Sequence, residues 1–170
     1  AEERHRASWL GIQSAHSRWM REGLVQSIIL VSVYGDKIGI DLPDRPDKWI
    51  DHIIASLLAT ENPALWKSLD HELPLLAEAS PASFVARVED LLKIENGPVQ
   101  QLFEEEKGFL HAHSYHTGLL WALENLAWMP EYLTRVALIL ANLAENDPGG
   151  NLANRPINSL LEIFKSWFPQ

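Results

Sequence analysis

Three histidines lie within six residues of one another, at His111, His113 and His116. Imidazole nitrogens bind zinc, copper and nickel, and a catalytic zinc uses three protein ligands and a water molecule. The spacing therefore allows a metal-binding domain or a metal-dependent enzyme as an alternative function. However, the histidines follow Gly108 in a predicted loop, and no acidic residue inside the group could orient the imidazoles. We favour a polar loop whose last histidine caps the next helix or packs against it, with no metal and no cofactor bound.

Two tryptophans are candidates for a protein contact surface. Trp121 and Trp128 are seven residues apart, so a helix would place them on the same side. Tryptophan is enriched at interface hot spots, and the pair could line a groove for a partner protein. Packing between helices in the core is the alternative, and residue type alone favours it.

Arg155 is the third candidate contact residue. It lies between a Gly-Gly turn and a predicted helix that begins at Pro156. There it could bind a carboxylate or a phosphate, helped by the free N–H groups of the helix N-terminus. The alternative, which we favour, has Asn154 capping the helix and Arg155 paired with a nearby carboxylate such as Asp147.

Sequence signatures of common enzymes are absent. The chain contains no phosphate-binding G-x-x-x-x-G-K-[ST], no G-x-G-x-x-G and no G-x-S-x-G. His71 and Glu72 begin like a zinc-protease helix, but residue 75 is Leu and Pro74 interrupts the turn. We predict that the chain is not an enzyme on its own.

Composition narrows the possible partners. The 170 residues are 46% apolar, which is enough for a sizeable core, and the formal net charge of -9 argues against nucleic acid and anionic membranes. There are no cysteines, so disulfides and thiolate sites are excluded. The first residues do not resemble a signal peptide and no apolar run is long enough to span a membrane. We therefore expect a cytoplasmic, bacterial protein whose partner is another protein.

The hydrophobic pattern is helical almost throughout. Ser17 is a predicted N-cap, and we expect Gly35-Asp36 to end that helix. The run at residues 136–141 is apolar all round, so we expect its helix to be the most buried. Prolines and turn signals place the predicted helices at residues 2–16, 17–34, 46–59, 63–69, 75–78, 81–95, 99–106, 117–127 (or from Ser114), 130–145 and 156–167. The last of these is expected to face inward through Ile157, Leu160, Leu161, Phe164 and Trp167.

These elements predict an all-α fold. Short loops between helices favour antiparallel helical hairpins, arranged either as an α-solenoid of the HEAT or TPR kind or as a compact helical bundle. We treat residues 1–170 as a single helical domain and expect it to be a fragment of a larger protein.

Five segments of the chain form a distinctive pattern: HTGLLWALE at 116–124, LAW at 126–128, DPGG at 147–150, NRP at 154–156 and WFPQ at 167–170. With them, the chain resembles a helical-repeat region of large bacterial multidomain proteins over about residues 18–170. The similarity points to the STAND-type NTPases of antiviral defence as the parent class. It implies a sensor or scaffold module that binds a protein partner or neighbouring domains of the parent chain, with nucleotide binding located elsewhere.

Overall fold

A computed structural model describes residues 16–107, 112–150 and 154–168. The fold is all-α, as predicted, with a two-residue antiparallel pairing of β1 (Glu106–Lys107) with β2 (Ala112–His113) and a 3-10 helix at Gln100–Phe103. Most of the predicted helix starting at residue 2, and Trp9 within it, lie outside the described residues. The helices are α1 (Arg18–Ile38), α2 (Pro46–Leu57), α3 (Pro63–Ser68), α4 (Leu73–Ala79), α5 (Pro81–Leu92), α6 (Thr117–Leu126), α7 (Pro130–Glu145) and α8 (Pro156–Trp167).

Helix starts follow the local signals in the sequence. Proline opens five of the helices, where its missing N–H costs nothing because that position has no helical acceptor. Ser17 caps α1 by accepting a hydrogen bond from the Met20 N–H, which confirms that prediction. Asn62 caps α3 in the same way through the Ala64 N–H.

The predicted end of α1 at Gly35-Asp36 is wrong. The helix continues to Ile38 and ends at Gly39, whose φ of 66° is a left-handed conformation suited to glycine. Gly35 is buried inside the helix because Pro46 of α2 packs against it, and a Cβ there would clash with the proline ring. This glycine therefore serves close helix packing and does not stop the helix.

The long helices pack in two rows. In the first row α1 contacts α4, α4 contacts α6, and α6 contacts α8; in the second row α2 contacts α5, and α5 contacts α7. Contacts of α1 with α2, α4 with α5, and α6 with α7 join the rows. This packing order is typical of stacked helical hairpins. It leaves α1 and α8 at opposite ends of the first row.

The most buried helix is not α7, as expected, but α6. In α7, Val136, Ile139 and Leu140 are buried, whereas Leu138 is 67% exposed. The helix contacts α5, α6 and α8, but Leu138 and Ala141 of its apolar run remain exposed. By contrast, α6 lies between α4 and α8 in the first row and buries six of its ten residues.

The inward face predicted for α8 is also largely wrong. Ile157, Leu161 and Phe164 are exposed, and the buried face is formed by Pro156, Ser159 and Ile163, with Leu160 and Trp167 partly buried. The reason is that α8 carries two apolar stripes, of which packing against α6 and α7 covers only one.

No helix in the described ranges is both long enough and apolar enough to cross a lipid bilayer.

Candidate functional site: a cleft at the start of α6

A cleft of about 390 Å³ opens where the first turn of α1, the turn before α4 and the start of α6 meet. Its size lies within the range of small-ligand and side-chain pockets. Polar, charged and aromatic groups face it together, and they come from parts of the chain far apart in sequence. The walls include Arg18, Asp70, His71, Thr117, Trp121 and Asn154.

Asp70 provides the cap for α6. The residue is 8% exposed, and its Oδ1 accepts a hydrogen bond of 2.8 Å from the backbone N–H of Gly118. His116 occupies the N-cap position without a side-chain capping bond, so the carboxylate arrives from another part of the chain. A Cβ on Gly118 would collide with the carbonyl of Asp70, and glycine is what permits this approach.

His116 is held by both ring nitrogens. Nε2 lies 2.6 Å from the carbonyl oxygen of Asn154; a carbonyl can only accept, so Nε2 carries the hydrogen. Nδ1 lies 2.6 Å from Oγ of Ser114 and accepts from that hydroxyl. The ring stacks on Phe103 with centroids 4.9 Å apart. Burial lowers the pKa of His116 below 6.5 and nearby Arg155 adds to this effect, against the opposing hydrogen bond to Asn154.

Acid is expected to destabilise the fold through His116. Its pKa is lower in the folded chain than the unfolded value of 6.5, so the unfolded state takes up the proton first. The stabilisation is complete above about pH 6.5 and is lost as the pH falls toward the folded pKa. Thermal melts from about pH 7.5 down to pH 5 should show a falling Tm, with the His116 ring resonances titrating below 6.5 by NMR. Titration of this ring at or above the unfolded value would contradict the assignment.

Arg155 is anchored between two carboxylates. Nη1 lies 3.1 Å from Asp147 Oδ1, and Nη2 lies 3.1 Å from Glu105 Oε1. The pairing with Asp147 agrees with the alternative favoured from the sequence, whereas capping by Asn154 was wrong. Arg155 itself is the N-cap residue of α8, and Asn154 has a φ of 46° that turns its carbonyl to His116. With its guanidinium paired in this way, Arg155 is a structural tie rather than an open anion site.

Of the three clustered histidines, only His116 has a side chain that the structure describes. His111 lies outside the described residues, and His113 is described only through its backbone in β2. His116 uses both nitrogens in hydrogen bonds that a metal would have to displace. Among the residues that the structure describes, no group of three potential ligands is arranged to hold a metal ion. The metal-binding alternative, which needs His111 and His113, stays a prediction.

The two tryptophans are exposed, not packed in the core. Trp121 is 54% exposed and lines the cleft, while Trp128 is 62% exposed and lies beyond the end of α6. Trp128 stacks on Trp167 with centroids 6.2 Å apart, and Trp167 donates a hydrogen bond of 3.0 Å to the carbonyl of Ala127. The expectation of core packing was therefore wrong for both residues. Only Trp121 belongs to the cleft.

Arg18 and Asp70 line the cleft but carried no recognisable signal in the sequence, and His71 was considered only as part of an incomplete zinc-protease motif. Asp70 is separated from Gly118 by 48 residues, so no local motif announces the cap. A weak signal existed at Gly118, the donor of this hydrogen bond. The helix α6 begins without a usual capping side chain and has this glycine in its first turn, so its cap must come from elsewhere in the chain.

Comparisons with known proteins supply no relative. No family model, curated protein sequence or solved structure matches this chain. The resemblance to STAND-type NTPases therefore stays a prediction, and the function is inferred from the surfaces and the cleft.

Proposed function

We propose that this chain is a non-catalytic helical interaction module, acting as a sensor or scaffold part of a larger bacterial protein of the cytoplasm. Its partner is another protein or a neighbouring domain of the parent chain, and the resemblance to STAND-type proteins suggests a role in antiviral defence. The observation that carries the proposal is the apolar surface at both ends of the first row of helices.

The outward side of α1 carries seven large apolar side chains, with the polar residues Gln26, Ser27 and Lys37 exposed among them, and we call it the α1 face. Its large apolar side chains are between 47% and 80% exposed. Single exposed apolar residues are normal on a protein surface, whereas a cluster of them on one helix is typical of an interaction site. The residues are Trp19, Met20, Leu24, Leu30, Val33, Tyr34 and Ile38.

The outward side of α8, here called the α8 face, carries a second stripe. Ile157, Leu161, Phe164 and Phe168 are 45% to 66% exposed. Their spacing of four, three and four residues is the spacing of a coiled-coil seam. A surface with this spacing is suited to another helix. We therefore propose that the partner presents a helix to α8.

The charges on α8 also favour a protein partner. In α8 the charged residues are Glu162 and Lys165, which pair with each other at 2.8 Å. The net charge of -9 therefore lies outside this helix. A partner can approach the α8 face without compensating for that negative excess.

The two faces also suit a longer stack. Each helix inside the first row has a neighbour on both sides, whereas α1 and α8 lie at its ends. In stacked-helix proteins the terminal units need a polar outer side to remain soluble. The α1 and α8 faces are apolar, which supports a solenoid-like arrangement continued by a helix of the partner or of the parent chain.

Site-specific photo-crosslinking in the native host tests the proposal. A photoreactive amino acid replaces Phe164 in one variant and Tyr34 in another, within the complete natural protein. We expect each to crosslink to a discrete protein partner or to a defined segment of the parent chain. Lys93, an exposed residue directly after the end of α5 and away from both faces, is the control position and should give no product. Equal labelling at all three positions, or none at Phe164 and Tyr34, would contradict the proposal.

A further inference from the structure

Asp70 has one carboxylate oxygen without a protein partner. Oδ1 is bound to the Gly118 N–H, but Oδ2 makes no hydrogen bond or ion pair with any residue that the structure describes. The side chain is more than nine-tenths buried and lines the cleft. Oδ2 keeps contact with solvent in the cleft, so a positively charged donor can reach this carboxylate oxygen.

Trp121 provides an aromatic wall beside this carboxylate. It follows Gly118 by three residues, so both lie on neighbouring positions of the same side of α6. The indole is half exposed and forms no hydrogen bond or ring stack in the described part of the chain. An open indole face attracts ammonium and guanidinium groups, because the ring is negative above its plane.

From these two observations we propose that the cleft binds a cationic side chain, arginine or lysine. Asp70 Oδ2 would take the charged N–H groups while Trp121 packs on the side chain. The source of that side chain, a protein partner, rests on the proposed function; the binding chemistry does not. The net charge of -9 also attracts cations to the molecule.

Because Arg18 and His71 also line the cleft, a zwitterion is an alternative ligand to a cationic side chain. Both are exposed, and Arg18 forms no ion pair with Asp70 or with any other described residue. A free amino acid could place its ammonium on Asp70 and its carboxylate on Arg18. We favour the cationic side chain, because the solvated Arg18 offers a weaker interaction than the buried Asp70.

An NMR titration with N-acetyl-L-arginine methylamide tests the binding. This probe carries a guanidinium group and no carboxylate. We expect it to shift the Gly118 backbone amide and the Trp121 indole N–H. The matched control is N-acetyl-L-citrulline methylamide, which has nearly the same shape without the charge. It should bind at least about tenfold more weakly. Equal binding of the two probes, or no binding of the arginine probe, would overturn the proposal.

Three variants identify the residues involved. Asp70→Asn keeps an oxygen to accept from the Gly118 N–H but removes the charge, so affinity for the arginine probe should fall about tenfold. Trp121→Leu changes an exposed side chain and should also lower affinity several-fold; it serves as the test if Asp70→Asn fails to fold. Arg18→Gln should leave affinity unchanged or slightly increased. A loss in Arg18→Gln as large as in Asp70→Asn, or no loss in Trp121→Leu, would overturn the proposal.

The two proposals can fail separately. Arginine binding without any crosslink from the α1 and α8 faces would contradict the proposed protein partner but support the cationic site. Crosslinks without arginine binding would support the interaction module and contradict the proposed ligand of the cleft.

Discussion

Replacing Gly118 with alanine is expected to lower the free energy of unfolding by about 3 kcal/mol or more. The new Cβ would occupy the place of the Asp70 backbone carbonyl and would also press on Oδ1 of the same residue. Relief requires the two segments to separate, which breaks the 2.8 Å bond that caps α6. Since α6 buries six of its ten residues, its displacement disturbs the centre of the core. Urea unfolding followed by circular dichroism measures the change.

Gly23→Ala is the matched control. Gly23 is an exposed residue inside α1, and a Cβ there would meet nothing within 4 Å. Alanine favours the helical conformation by up to about 1 kcal/mol over glycine, so this variant should be as stable as the natural chain or more so. Similar losses in both variants would show that close contact with Asp70 is not the reason for glycine at position 118.

Replacing Arg155 with methionine is expected to have the second large effect, a loss of about 3 kcal/mol. Its guanidinium is only 11% exposed, and its partners Glu105 and Asp147 are 17% and 14% exposed. Methionine fills a similar volume but offers no charge, so Asp147 keeps a poorly solvated carboxylate without its cation. Denaturant unfolding of the variant and of the natural chain gives the difference.

Arg135→Met separates the effect of burial from that of ion pairing. Arg135 makes two hydrogen bonds to Glu89, at 2.8 and 2.7 Å, yet both side chains are more than one-third exposed. Because solvent screens such a pair, we expect a loss of about 1 kcal/mol or less. If Arg155→Met costs no more than Arg135→Met, burial of the Arg155 ion pairs adds nothing to stability.

Local sequence signals predicted the helix starts well where the residues that begin the helix lie within one turn of it. Proline at the first helical position and the Ser17 cap act within one turn, and these starts were correct. Gly35 was misread because its function is to admit Pro46 from another helix. The face of α8 was misread because both of its stripes are apolar, and only the packing partner decides which one is buried.

In the candidate site too, contacts between residues near in sequence could be predicted, whereas contacts between distant residues could not. The pairing of Arg155 with Asp147 spans eight residues and could be anticipated, whereas its pairing with Glu105 spans 50. The cap from Asp70 to Gly118 spans 48 residues. No periodicity or motif reports contacts at such distances, so the cleft could be found only once the helices were packed.

The long-range contacts near α6 also have a consequence for the chain during its synthesis on the ribosome. Glu105 and His116 are made long before their partners, Arg155 and Asn154, which follow 50 and 38 residues later. At elongation rates of about 5–20 residues per second, roughly 3–10 s pass between synthesis of Glu105 and synthesis of Arg155. During that interval Asn154, which lines the cleft, and α8, which packs against α6, have not yet been made. The nascent chain therefore exposes the side of α6 that α8 later covers.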